Sequence, residues 1–406
     1  MPRRPVTTMT VAASPQRPAP VATLLLAAAS GLSPFGMASI VPAMPAFADY
    51  FAADYARVQL VVSVYLLGLG ISQPVHGALC DMFGRRKALI AGFSIFIFAS
   101  LLCALTSRLD ALVLGRFAQA LGVSVGTVAA RAIVRDTHDA ETSAVALSYI
   151  TAAMGIAPVA APLVGGLLTS YFGWPAIFLC NAMIGAVLLW WIHAALPETR
   201  AESHRLAADP VRTLRHYGEF LRSPLFLGYT LIYGFSSAAM FAFITVGAAL
   251  YGRYAGLDAA GFGLLWGALA LTYASGAWLG AKLARARGAL TLLRDGVIAM
   301  LIVGVIFPFL LLWPGPGLWT LTIPISALMI TNGLTSPIAM AGAVSTRPEL
   351  AGIAAGLSSA LAMLASMLFT AISGVTFDGS AMPAAILIAA GCIAVAGAWL
   401  LTRSRS

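Results

Sequence analysis

The sequence predicts an all-α membrane protein, with twelve transmembrane helices arranged as two six-helix pseudo-symmetric bundles. Three observations carry that expectation. Hydrophobic residues make up 60% of the 406 and Asp, Glu, Lys and Arg only 10%, against roughly 45–50% and 25% in soluble domains. Apolar runs long enough to span a bilayer, which takes about 20 residues of helix, recur twelve times. Finally, the basic residues collect on one side once these runs are threaded through a membrane. A soluble enzyme, a nucleic-acid module and a disordered chain all fit this composition poorly. The net charge of +9 resides in short clusters between apolar runs, as in membrane-protein loops, so no nucleic-acid partner is expected.

The runs fall near 21–45, 57–79, 88–106, 111–134, 145–169, 174–196, 225–249, 261–283, 290–313, 318–341, 352–375 and 381–402. They are too long and continuous for barrel strands, and backbone groups in lipid must be satisfied within their own segment. Residues 1–20 read as a cytoplasmic tail, and the following IVPAMPAF stretch is no cleavage pattern, so the first helix is expected to be retained. Residues 21–196 form an N-terminal bundle, 197–224 a basic linker with a short surface helix, 225–402 a C-terminal bundle and 403–406 a tail. With both ends on one side, twenty Lys and Arg lie there and three opposite, with Arg116 inside a span. The positive-inside rule then puts both termini in the cytoplasm of a bacterial-type inner membrane. Cys103, Cys180 and Cys392 lie in apolar runs and Cys80 in a basic loop; no spacing suggests a metal, disulfide or cofactor site.

The loop after the second span reads Gly77-Ala-Leu-Cys-Asp81-Met-Phe-Gly84-Arg85-Arg86-Lys87. Its glycines permit close helix approach. Asp81 sits at the membrane surface, where it can meet the positive end of a helix entering from that side, with the helix near Gly352 as candidate. Breaking such a contact would bias the protein between two access states; the plainer role of Arg85, Arg86 and Lys87 is to set topology. In the fourth span, Arg116, Gln119, Val123 and Gly126 share one face by their 3-4-3 spacing. An arginine within a span faces a cavity or a partner, or snorkels to the interface if close enough to the end. In the fifth, Gly155, Pro158, Pro162, Gly165 and Gly166 make a kinked groove of small residues, a hinge between halves or an ordinary packing groove.

The 77–87 loop resembles the signature loop of the major facilitator superfamily, and the fifth-span groove resembles the "antiporter" motif of its drug-efflux members. Together with RFAQALG, ARAIVRD, APVAAPLVGG, GWPAIF and LPET, the chain resembles the Bcr/CflA subfamily of drug:proton antiporters. The likeness is dense over residues 30–200 and thin after 225. It implies alternating access, a small-molecule substrate and a coupling proton; a monomer is expected because the two halves already make a complete pathway.

One departure matters. Such relatives commonly carry an acid in the first span, whereas this chain has Ala38 within Pro34-Phe-Gly-Met-Ala38-Ser-Ile-Val-Pro42. None of the fifteen acids lies well inside a run. An unpaired Arg116 should therefore disfavour cationic cargo and tolerate neutral, zwitterionic or anionic aromatic solutes. Proton coupling needs another titrating group; His76 is the candidate, since histidine ordinarily titrates near working pH. Arg116, Gln119, Tyr65, Asn332, Phe35 and Tyr233 are the candidate cavity residues, with Gln73, Phe241 and Tyr273 at similar depth. The expected function is efflux of a drug or toxic metabolite, with import of a neutral or anionic metabolite such as a vitamin as the alternative. An intramembrane enzyme is disfavoured, since the sequence has no H-E-x-x-H and no acid pair within the spans. A sensor or scaffold would need an output domain for which no residues remain.

Overall fold

A computed structural model describes residues 20–138, 140–199, 210–313 and 315–403. Twelve of its helices are long and apolar enough to cross a membrane. The first span is broken: α1 (Pro20–Ala38) and α2 (Met44–Phe51) are joined by a 3-10 turn over Val41–Ala43. Pro42 and Pro45 cause the break, because neither has an N–H to continue the helix. The run expected to stop at residue 45 thus extends to Phe51.

The other spans of the first half are α3 (Tyr55–Phe83), α4 (Arg85–Leu105), α5 (Leu109–Thr137), α6 (Ala140–Phe172) and α7 (Pro175–Ala195). A short α8 (Pro210–Leu221) lies between the halves. The second half comprises α9 (Pro224–Ala255), α10 (Ala259–Arg287), α11 (Ala289–Leu312), α12 (Leu318–Ser345), α13 (Ala351–Thr376) and α14 (Met382–Arg403). Several helices outrun their apolar stretches because their last turns carry charge where the hydrocarbon ends. Arg135 and Asp136, beyond the apolar run ending at 134, lie within α5.

Each half has its own apolar core. One gathers buried residues of α1 to α7 such as Leu32, Tyr65, Phe93, Phe96 and Phe178. The other gathers residues of α8 to α14 such as Phe226, Phe243, Phe262, Phe307 and Ile388. The bundles meet along α3–α13 and α6–α10. We call the face carrying the α3–α4 joint and the end of α14 the tail side, and the opposite face the far side.

The meeting is one-sided. On the far side the Tyr55 hydroxyl donates to the Thr245 carbonyl at 2.9 Å, and its ring packs on Phe377 with centroids 4.7 Å apart. The Ser170 hydroxyl donates to Asp258 and accepts from the Ala260 amide, both at 3.2 Å. At mid-depth, Gly70 of α3 abuts the Ala360 carbonyl of α13. Beyond that point the helices part: a methyl added at Gly77, Gly155 or Gly356 would meet nothing within 4 Å. The bundles therefore close on the far side and part toward the tail side, leaving a crevice that Arg135 of α5 still crosses to reach Gly352 of α13.

Candidate functional site

Arg116 is built into the first bundle. It projects from α5 and is 0% exposed. Its Nη1 donates to the Gly36 carbonyl at 3.0 Å and to Gln119 Oε1 at 2.9 Å, and its Nε to the Val61 carbonyl at 3.3 Å. The guanidinium carbon lies 4.0 Å from the centre of the Tyr65 ring. The Gly36 carbonyl is free for this because α1 ends at Ala38, and the last carbonyls of a helix have no partner within it. Gln119 passes the contact on by donating to Ser100 Oγ at 2.6 Å, while the Tyr65 hydroxyl donates to the Ser33 carbonyl at 2.9 Å. Carbonyl dipoles, an amide and a π face thus hold the charge. The guanidinium does not snorkel, and among the described residues it forms no salt bridge. Four helices, α1, α3, α4 and α5, are tied together by it.

A second polar chain lies nearer the tail side. His76 Nδ1 on α3 is 2.8 Å from Ser124 Oγ on α5, and Ser72 Oγ donates to the same Ser124 oxygen at 2.7 Å. His76 itself is half-buried, so this short relay has one end accessible.

The 77–87 segment, expected as a loop, is helical except at Gly84, because α3 and α4 run on past their apolar stretches, and it forms an ion cluster inside the first bundle. Arg85, 6% exposed at its side chain, pairs with Asp81 at 2.9 Å and Asp136 at 3.0 Å. Its backbone N–H donates to Glu198 at 2.9 Å, and Arg86 reaches the His193 carbonyl at 3.0 Å. Gly84 makes the joint between α3 and α4 with φ +96°, and a side chain there would collide with Glu198. It is Arg135, not Asp81, whose guanidinium abuts Gly352 at the start of α13.

The α6 groove packs against the far-side half of α10. Gly166 lies against the Ala259 carbonyl, Gly263 against that of Pro162, and Gly165 against that of Ser39. Pro158 and Pro162 lie within the continuous helix. Gly155 stands where α6 and α10 have separated.

A family model described as Major Facilitator Superfamily matches residues 26–370. The chain belongs to the Major Facilitator Superfamily. It is 29% identical over 92% of its length to the uncharacterized MFS-type transporter YdgK of Bacillus subtilis, covering 93% of that protein. It is likewise 29% identical to multidrug resistance protein D of Escherichia coli, over 82% of this chain and 83% of that one. Over 56% of its length it is 31% identical to multidrug resistance protein MdtL of Shigella flexneri, covering 57% of it. In fold it is similar to a D-xylose-proton symporter, with a TM-score of 0.74 at 16% identity over 94% and 96% of the two chains. A bacterial homolog of the human lysosomal transporter Spinster, in an inward-facing and occupied conformation, gives 0.72 at 16% identity over 94% and 95%. The protein is a secondary transporter of a small-molecule substrate, not an enzyme, and crosses the membrane many times.

Within this MFS transporter the expected cavity residues separate into two groups. Arg116, Gln119 and Tyr65 form one unit, enclosed in the first bundle. Asn332 is enclosed in the second, donating to the Ser236 carbonyl at 2.9 Å and accepting from the Ser336 hydroxyl. Phe35 is half-buried against the first core, and Phe241 packs on both cores. Tyr233 and Tyr273, half-buried on α9 and α10, lie within electrostatic reach of one another. Gln73 is half-buried on α3.

Sequence reasoning missed Arg131, which entered only the count of basic residues on the side of the termini. Its side chain is exposed and lies in electrostatic reach of Tyr233 on the opposite bundle. The signal was present: residues 124, 128, 131 and 135 share one helical face of α5.

Proposed function

We propose that this MFS transporter exports a small, neutral or anionic aromatic compound across the inner membrane by alternating access, with both termini cytoplasmic. On that orientation the tail side is the cytoplasm and the described state is open inward. One observation carries the reading: the crevice opens on a single side, next to a bundle in which, among the described residues, the one fully buried charge is the cation Arg116. Phe35, Phe241, Met363 and Met367, all packed against the first core, supply aromatic and adaptable thioether surface for such a cargo. The resemblance to drug-resistance proteins supports export over uptake.

The proposed coupling ion is a proton carried by His76, with Ser124 and Ser72 passing the hydrogen bond inward. The loop of Gly77, Asp81, Gly84, Arg85 and Arg86 is proposed to dock on the start of α13 when the cytoplasmic side closes. The α6 groove is proposed to act as the hinge about which α6 and α10 separate.

Whole-cell accumulation of aromatic anions and their neutral analogues, with and without an uncoupler, tests the reading. Cells carrying the gene should accumulate less of the cargo, and the uncoupler should abolish the difference. Net uptake of a solute that strains lacking the gene cannot use would establish the importer instead. A His76→Gln transporter should bind cargo but lose the uncoupler-sensitive gradient; unchanged gradients would dismiss His76.

A further inference from the structure

Resting on that reading, we infer that Arg131 is the anion-recognition group of the crevice, and that it selects aromatic cargo bearing a carboxylate. The argument begins with the direction of its face. Arg135, one turn nearer the tail side on α5, lies with its guanidinium against Gly352 of α13, so this face points at the second bundle. Arg131 is about 6 Å deeper, at 1.5 Å of helix per residue.

Its partners, or lack of them, separate it from its neighbours. Arg85 is clamped by two carboxylates, Arg86 by a carbonyl, and Arg116 by two carbonyls and an amide. Among the described residues Arg131 makes no hydrogen bond and no ion pair, yet its side chain is exposed at membrane depth. A guanidinium in a span faces water or a partner rather than lipid. Tyr233 of α9 lies within its electrostatic reach, and Tyr273 of α10 within reach of Tyr233. The nearby Asp136 carboxylate is committed to Arg85.

A planar fork of donors near a phenol ring is the chemistry that takes a carboxylate on an aromatic ring. The fork donates to both carboxylate oxygens, and a phenol ring offers its face to the remainder. Arg116 cannot do this, since it is fully enclosed within the first bundle. The two arginines therefore divide the work: Arg116 holds the bundle and Arg131 meets the cargo.

The test uses full-length protein in phosphatidylcholine nanodiscs, so that no anionic headgroup competes, and two probes of equal shape, 2-naphthoate and 2-naphthamide. Naphthoate should bind about tenfold or more tightly than naphthamide, as a charge-assisted pair requires. Arg131→Gln should bring the ratio to about one, and Arg131→Lys should keep part of it. As a check independent of variant folding, naphthoate but not naphthamide should protect Arg131 of the wild-type protein from phenylglyoxal, mapped by mass spectrometry. A wild-type protein without carboxylate preference, an unchanged ratio in Arg131→Gln, or protection confined to other arginines would overturn the inference. Those results leave the export reading to the accumulation assay, which does not depend on Arg131.

Discussion

Removing Arg116 should unsettle the protein rather than merely alter its cargo. In Arg116→Ala, Gln119 Oε1 and the Gly36 carbonyl lose donors now at 2.9 and 3.0 Å, in a site with no access to solvent. Each orphaned buried acceptor costs about 1–3 kcal/mol. A large-to-small change in a packed interior adds about 2–5 kcal/mol. Relief of the buried charge offsets several kcal/mol of this. The net expectation is a loss of about 3 kcal/mol for alanine and about 1–2 kcal/mol for Arg116→Met, which keeps most of the volume. A double substitution sharpens the argument. In Arg116→Met with Gln119→Leu the orphaned amide oxygen disappears with its donor, so the pair should be about 1 kcal/mol more stable than Arg116→Met alone. Urea unfolding in mild detergent, followed by tryptophan fluorescence, measures wild type, Arg116→Ala, Arg116→Met and the double variant. The reasoning is refuted if Arg116→Ala lies within about 0.5 kcal/mol of wild type, or if adding Gln119→Leu brings no recovery.

Three further outcomes are expected. Gly84→Ala should cost about 1–3 kcal/mol, because φ is +96° and the added methyl strikes Glu198; thermal unfolding reads this, and an unchanged midpoint would contradict the tight joint. Gly166→Leu should force α6 from α10 on the far side, so that a cysteine introduced at Ser170 reacts faster with an impermeant thiol reagent. Equal rates would mean that the contact with Ala259 does not hold that side closed. The third concerns pH. The Arg347 guanidinium, hydrogen-bonded to Glu219 at 2.6 Å, holds its carboxyl below the usual range, with His216 assisting. A depressed carboxylate contributes stability above its unfolded pKa of about 4.5, lost as pH falls through the lower folded value. Docking of α8 should therefore survive at pH 5 and fail only in stronger acid, and Arg347→Gln should move its release to higher pH. Amide exchange of α8 across pH 3–6 follows it.

Much of the architecture was legible because the bilayer restricts the solutions so severely. Twelve apolar runs of sufficient length dictate twelve helices, and the 3-4-3 spacing of Arg116, Gln119 and Val123 places them on one face. The proline pair at 42 and 45 was visible too, though its effect, a break that frees the Gly36 carbonyl for Arg116, was not. That effect depends on two segments 80 residues apart. The ends of α5 were misread for a related reason. Charge near the end of an apolar run is equally consistent with a loop and with a helix that continues past the hydrocarbon.

What the sequence determined by itself was the class, the number of spans, the superfamily loop and the absence of an acid in the first span, since all of these are properties of composition and local spacing. Which arginine is sealed and which is open was decided only by the tertiary structure. Both lie on α5, at positions 116 and 131, and both are equally costly to bury. The difference comes from what the neighbouring helices present: spare carbonyls, an amide and a ring around one, the other bundle across an open crevice before the other. No linear pattern records that arrangement, because it is set by helices that meet only once the chain has folded.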